Sequence, residues 1–93
     1  MNAYRTSQQI LANVLTITNE SDRYGIAITS LCHKSNIPHK RLKGLLCNLT
    51  SSGLMNQIKY DGKNTFVITE KGKTYLEEYK RFMSIAESFG LEL

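Results

Sequence analysis

The side chains with the most reactive chemistry in this sequence are Cys32, His33, His39 and Cys47. Together they would suggest a zinc site, yet structural zinc sites use paired Cys-x-x-Cys or Cys and His knuckles, and that spacing is absent. Neighbouring Cys32 and His33 also leave a helix in divergent directions. No metal is expected. Covalent catalysis has no better footing: Cys47 lies near Lys43, but no nucleophile, base and orienting acid form a set. No glycine loop is built to cradle phosphate, and no carboxylate pair is expected to face a cleft. The sequence predicts no enzyme, no cofactor and no identifiable small-molecule ligand.

Charge is the remaining chemistry, and its distribution is uneven. The formal net charge is +4, but residues 1–68 hold eight Lys or Arg against three Asp or Glu, while residues 69–93 hold four against five. No acidic residue falls between Ile37 and Tyr60. A basic body followed by a mildly acidic segment suits polyanion binding at the front and another task at the end.

These side chains need elements to position them. Ile10, Leu11, Val14, Leu15 and Ile17 share one face of a helix that Thr6 or Ser7 can cap, ending near Thr18. Tyr24 to Ile28 reads as a short first strand, after which Thr29 caps a second helix running to about Ser35. Asn36-Ile37-Pro38 is a turn that opens a third helix, residues 38–52, because proline suits an opening helical position and disfavours helix before it. Leu42, Leu45, Leu46 and Leu49 form its buried face, with Gly53 as the stop. Residues 54–68 alternate around Asp61-Gly62-Lys63-Asn64 as a β-hairpin, with Met55, Gln57 and Lys59 on one side. Thr69 then caps a last helix from Glu70 to about Phe89.

The predicted fold is α+β, a winged helix-turn-helix in the order α-β-α-α-β-β-α with a C-terminal dimerisation helix. In such an arrangement the second helix of the pair lies in the major groove. At about 100 degrees per residue, the face opposite the leucines is centred on Lys40, Gly44, Cys47 and Ser51, flanked by Lys43 and Asn48, with His39 and Arg41 at its margins. The cations suit phosphates or guanine acceptors, Asn48 suits adenine, and Gly44 allows close approach. Lys59, Lys63 and Asn64 on the hairpin would serve as the wing. The candidate partner is double-stranded DNA.

In the last helix Tyr75, Tyr79, Phe82, Ala86 and Phe89 recur at steps of four and three, and Leu76 and Met83 widen that seam. Its apolar surface exceeds what one small body needs. The expectation is a homodimer through this helix, with residues 1–69 as the DNA-binding body and residues 70–93 as the pairing element.

Size and composition agree. Ninety-three residues make one domain, close to the size at which burial within one chain becomes marginal, so a partner would help. With 41% hydrophobic and 22% charged residues, the chain is an ordinary globular one and not a disordered tail. It lacks an apolar run of roughly 20 residues that could span a bilayer and a secretory signal pattern at its start, so a cytoplasmic, nucleoid-associated protein with reduced thiols is expected.

Three segments carry a resemblance to a known family: Ile37-Pro38-His39-Lys40-Arg41-Leu42-Lys43, Leu49-Thr50-Ser51-Ser52-Gly53-Leu54, and Ile68-Thr69-Glu70-Lys71-Gly72-Lys73-Thr74-Tyr75-Leu76. The chain resembles the small archaeal winged helix-turn-helix DNA-binding proteins typified by the Sulfolobus chromatin-associated group, which pair through a coiled coil. That resemblance spans nearly the whole chain. It implies duplex DNA binding by the third helix and the wing, dimerisation by the last helix, and a role as transcriptional regulator or chromatin protein. The chain departs from the pattern in its shorter final helix and in Gly44, where relatives carry a polar or charged residue. The competing reading is a winged-helix module that binds protein.

Overall fold

The computed structural model describes residues 6–91. Helix α1 spans Ser7–Glu20, α2 Ile28–Ser35 and α3 His39–Ser51; strands β1 (Met55–Tyr60) and β2 (Lys63–Ile68) form an antiparallel hairpin, and α4 runs Glu70–Ser88.

Local chemistry sets most of these boundaries. Thr6 caps α1 in a reciprocal box: its Oγ1 accepts from the Gln9 amide at 3.1 Å, and Gln9 Oε1 accepts from the Thr6 amide at 2.8 Å. The helix continues two residues past Thr18, whose buried side chain donates to the Val14 carbonyl at 2.8 Å. At the end of α3, Gly53 takes φ +79°, the Gly53 amide donates to Thr50 O and the Leu54 amide to Leu49 O. This is a Schellman stop, with Ser52 as the cap and Gly53 just beyond it.

Three sequence expectations are corrected. The strand expected over 24–28 reduces to one bridge, in which Ile26 and Phe66 exchange two backbone bonds of 2.9 Å. Gly25 turns the chain at φ +85° on one side of Ile26 and α2 begins at Ile28 on the other, so there is no length left for a ladder. For the same reason Thr29 is inside α2 and does not cap it; Ala27 occupies the cap position. In the hairpin, Lys63 and Asn64 belong to β2, and the turn is the two residues Asp61 and Gly62, with φ of 54° and 76°. Positive φ at both positions is the type I′ geometry whose twist matches the flanking strands.

The core lies where α1, α2, α3, the root of the hairpin and the first half of α4 meet. Val14, Leu15, Leu31, Leu42 and Met55 are fully enclosed there, with Leu46, Leu49, Phe66 and Leu76 around them. Among the described residues no buried side-chain nitrogen or oxygen lacks a hydrogen-bond partner. The chain is elongated, 48 × 27 × 21 Å. A helix of 19 residues measures about 28 Å, so α4 extends past the body it starts on.

The start of α4 is joined closely to the end of α3. Thr69 Oγ1 donates to Gly53 O at 2.6 Å and accepts from the Gly72 amide at 3.0 Å, while the Thr69 amide donates to Leu54 O at 3.1 Å. Lys71 Nζ donates to the Ser52 carbonyl at 3.0 Å, placing a cation at the carbonyl end of α3. Gly72 is buried against the Leu54 carbonyl. The Thr-Glu-Lys-Gly segment thus fixes where α3, the hairpin and α4 meet.

Candidate nucleic-acid interface

Helix α3 packs by Leu42, Leu46 and Leu49, with Leu45 half-buried beside them. Its other side is open: His39, Lys40, Arg41, Lys43, Gly44, Cys47 and Asn48 are all exposed. Gly44 has nothing within 4 Å of where a Cβ would stand, so the middle of this face is bare backbone. Among the described residues the ion pairs, Lys73 with Glu70 and Arg81 with Glu78, are both on α4. The cations of α3 and the hairpin therefore take part in no ion pair among the described residues.

Strand register divides the wing residues. Gln57 opposes Phe66 and Lys59 opposes Asn64, on the same side as buried Met55 and so facing α3. Tyr60 opposes Lys63 on the other side. Between α3 and the hairpin lies an open groove of about 380 Å³, floored by Leu46 and Phe66 and edged by His39, Lys43, Cys47, Thr50, Gln57 and Asn64. Of the residues singled out from sequence, His39, Lys43, Cys47 and Asn64 meet at this groove. Lys40, Arg41 and Asn48 are elsewhere on the exposed surface of α3, and Lys63 is on the far face of the hairpin. Gln57 and Thr50 are additions that only the packing of a hairpin against a helix brings in.

Sequence reasoning missed a second cluster. The rings of Tyr24 and Tyr60 stack with centroids 4.2 Å apart and planes 24° from parallel. The Arg23 guanidinium lies 5.0 Å from the Tyr24 ring centroid, and its Nη2 donates to the Tyr24 hydroxyl at 2.8 Å. Nothing local in the sequence links these tyrosines, which come together when the loop before α2 folds over β2.

The predicted seam of α4 is divided. Leu76, 3% exposed, is spent in the core, and Tyr75 and Tyr79 pack against it, so these three serve the protomer itself. Ala86 is enclosed near the end of the helix. Phe82 and Phe89 are 58% and 76% exposed, and Ile85 and Leu91, which the heptad reading did not include, join them. Met83 is half-buried and, with Tyr79, Phe82 and Thr6, edges an apolar hollow of about 310 Å³.

Cys32 is half-buried and Cys47 exposed, both as free thiols. Among the described residues no three His, Cys, Asp or Glu side chains gather as a metal site would require. No helix there is long and apolar enough to cross a membrane.

The winged helix-turn-helix family matches residues 4–87. The chain belongs to that family. Its fold is that of three solved structures of low sequence identity. Sso10a-2, described as a DNA-binding protein from Sulfolobus solfataricus, is 22% identical with a TM-score of 0.69, over 92% of this chain and 90% of that one. AF1382 from Archaeoglobus fulgidus is 19% identical with a TM-score of 0.70, over 88% and 91%. F-93 of SSV1 is 21% identical with a TM-score of 0.64, over 95% and 97%. The sequence has no significant match among curated proteins.

Proposed function

We propose that this winged helix-turn-helix protein binds double-stranded DNA as a homodimer, acting as an archaeal transcriptional regulator or nucleoid-associated protein. The observation that carries this reading is the open face of α3. It presents His39, Lys40, Arg41 and Lys43 around bare Gly44, with no acidic residue on the helix, and the ion pairs among the described residues are both on α4 and involve none of these cations. Helix α3 enters the major groove and the hairpin serves as the wing, with Lys59 and Asn64 toward the backbone from the face beside α3 and Lys63 adding its charge from the opposite face near the tip. The description of Sso10a-2 as DNA-binding supports the same assignment.

In this reading residues 1–69 hold the nucleic acid and residues 70–93 hold a second copy. Support for pairing comes from Phe82, Ile85, Phe89 and Leu91, a group of large apolar side chains left uncovered at the outer end of α4. Two linked binding surfaces gain affinity without a new type of contact.

The test is titration of labelled random-sequence duplex and genomic DNA at several salt concentrations. Affinity should fall steeply between about 50 and 200 mM salt as counterions are released. Absence of binding at low salt would refute the proposal and favour a protein-binding module.

A further inference from the structure

The distal half of the wing has little to hold it. On the side facing α3 it borders an open groove, and Lys59, Asp61, Gly62, Lys63 and Asn64 are all exposed. A two-stranded ribbon is marginal by itself, so its angle needs an external restraint. Tyr60 is the one aromatic side chain between Lys59 and Asn64, and it stacks on Tyr24 on the face turned away from α3.

Tyr24 is a suitable anchor because its own backbone is fixed. Its amide donates to Asp22 Oδ1 at 2.9 Å, and its carbonyl accepts from Thr65 Oγ1 at 2.6 Å. The next residue, Gly25, lies so close to β2 that a Cβ there would stand 2.7 Å from the Phe66 carbonyl oxygen. One residue further, Ile26 is bonded to Phe66. Arg23 covers the outer part of the Tyr24 ring and bonds its hydroxyl. The aromatic platform is thus tied to the body at several points, whereas its passenger, Tyr60, sits on the exposed distal part of the hairpin, where its strand is paired with β2.

We infer that Tyr24 and Tyr60 are positioning residues: their stack braces the wing from behind and sets the opening between the hairpin and α3. The inference deepens the DNA-binding proposal, because that opening decides whether Lys59 and Asn64 on the wing and Lys43 on α3 reach one backbone together. A rigid wing presents these groups without an ordering cost on binding.

The experiment compares Tyr60→Ala, Tyr24→Ala and Tyr60→Phe in the full chain with two readouts. The first is amide hydrogen exchange without DNA. Both alanine variants should speed exchange at residues 59–64 by about fivefold, the scale of one exposed aromatic pair, and leave α1 and α3 at wild-type rates. Tyr60→Phe, which keeps the ring, should match wild type. The second is affinity for random duplex DNA, which should fall by about threefold to tenfold in the alanine variants with an unchanged salt slope, since no phosphate contact is removed. Phe at position 60 should restore it. Wild-type wing exchange in Tyr60→Ala overturns the brace, as does a Phe variant as impaired as the Ala variant. A wild-type protein that does not bind DNA while its wing exchange responds to the stack refutes the DNA reading and supports the brace.

Discussion

Gly44 and Gly72 are both helical glycines, and a methyl group acts oppositely at the two. At Gly72 a Cβ would drive into the Leu54 carbonyl and stand 2.7 Å from Ile68 Cγ1, with backbone on one side that has no freedom to yield. Gly72→Ala should therefore cost about 1–3 kcal/mol through overpacking, seen as a lower midpoint in thermal unfolding. At Gly44 there is open space and ordinary helical backbone, so Gly44→Ala should add about 1 kcal/mol, read as a midpoint raised by about 4–8 °C. If α3 binds as proposed, the same alanine should weaken DNA binding, because the added carbon would fill the space open to the duplex beside the α3 backbone. A variant that is more stable and binds DNA more tightly would show that Gly44 is not in the interface. The Thr69 hydroxyl is a third residue with a clear local role, joining the α4 cap to the Gly53 carbonyl.

At the scale of elements, α3 packs by its leucines and presents cations on the other side, so its two faces should respond independently. Lys40→Ala and Lys43→Ala should each weaken binding to all duplexes alike and lower the salt slope by about one, with unchanged thermal unfolding. Lys80, an exposed cation of α4, is the control: equal loss from Lys80→Ala would mean that the wrong face has been assigned. The close junction of α3, the hairpin root and α4 through Thr69, Lys71 and Gly72 gives these elements a common frame. The distal wing is outside that frame, which is why a tyrosine stack has a place in the design.

For the whole molecule, the relevant asymmetry runs along the long axis. The first half of α4 completes the core through Leu76, whereas its outer end leaves Phe82, Ile85, Phe89 and Leu91 uncovered. A body this small would gain stability by burying such a surface against a second copy, as proposed. Sedimentation equilibrium should therefore give a dimer for the wild-type chain and a monomer for the double variant Phe82→Glu, Phe89→Glu. DNA affinity should drop by about tenfold or more as the linked second site is lost. A wild-type monomer at micromolar concentration would refute pairing through α4.

Local pattern determined the helices, the hairpin and the face of α3, because amphipathic spacing, Gly53, Asp61-Gly62 and the capping threonines act over a few residues. The exposure of Lys40, Arg41, Lys43 and Asn48 follows from Leu42, Leu46 and Leu49 facing inward, so the chemically active side chains of α3 were legible in the sequence. Tertiary structure decided what depends on distant segments meeting. It reduced the first strand to Ile26, enclosed Leu76, put Gln57 and Thr50 beside Lys43, and brought Tyr24 onto Tyr60. Heptad spacing in α4 marks apolar positions without stating what covers them; only packing separates Leu76, buried by the protomer's own body, from Phe82 and Phe89, which that body does not reach. Cys32, His33, His39 and Cys47, the residues richest in chemistry by type, come together in no metal cluster among the described residues. Lys40, Arg41 and Lys43 of α3 are exposed instead, held outward by the leucines behind them.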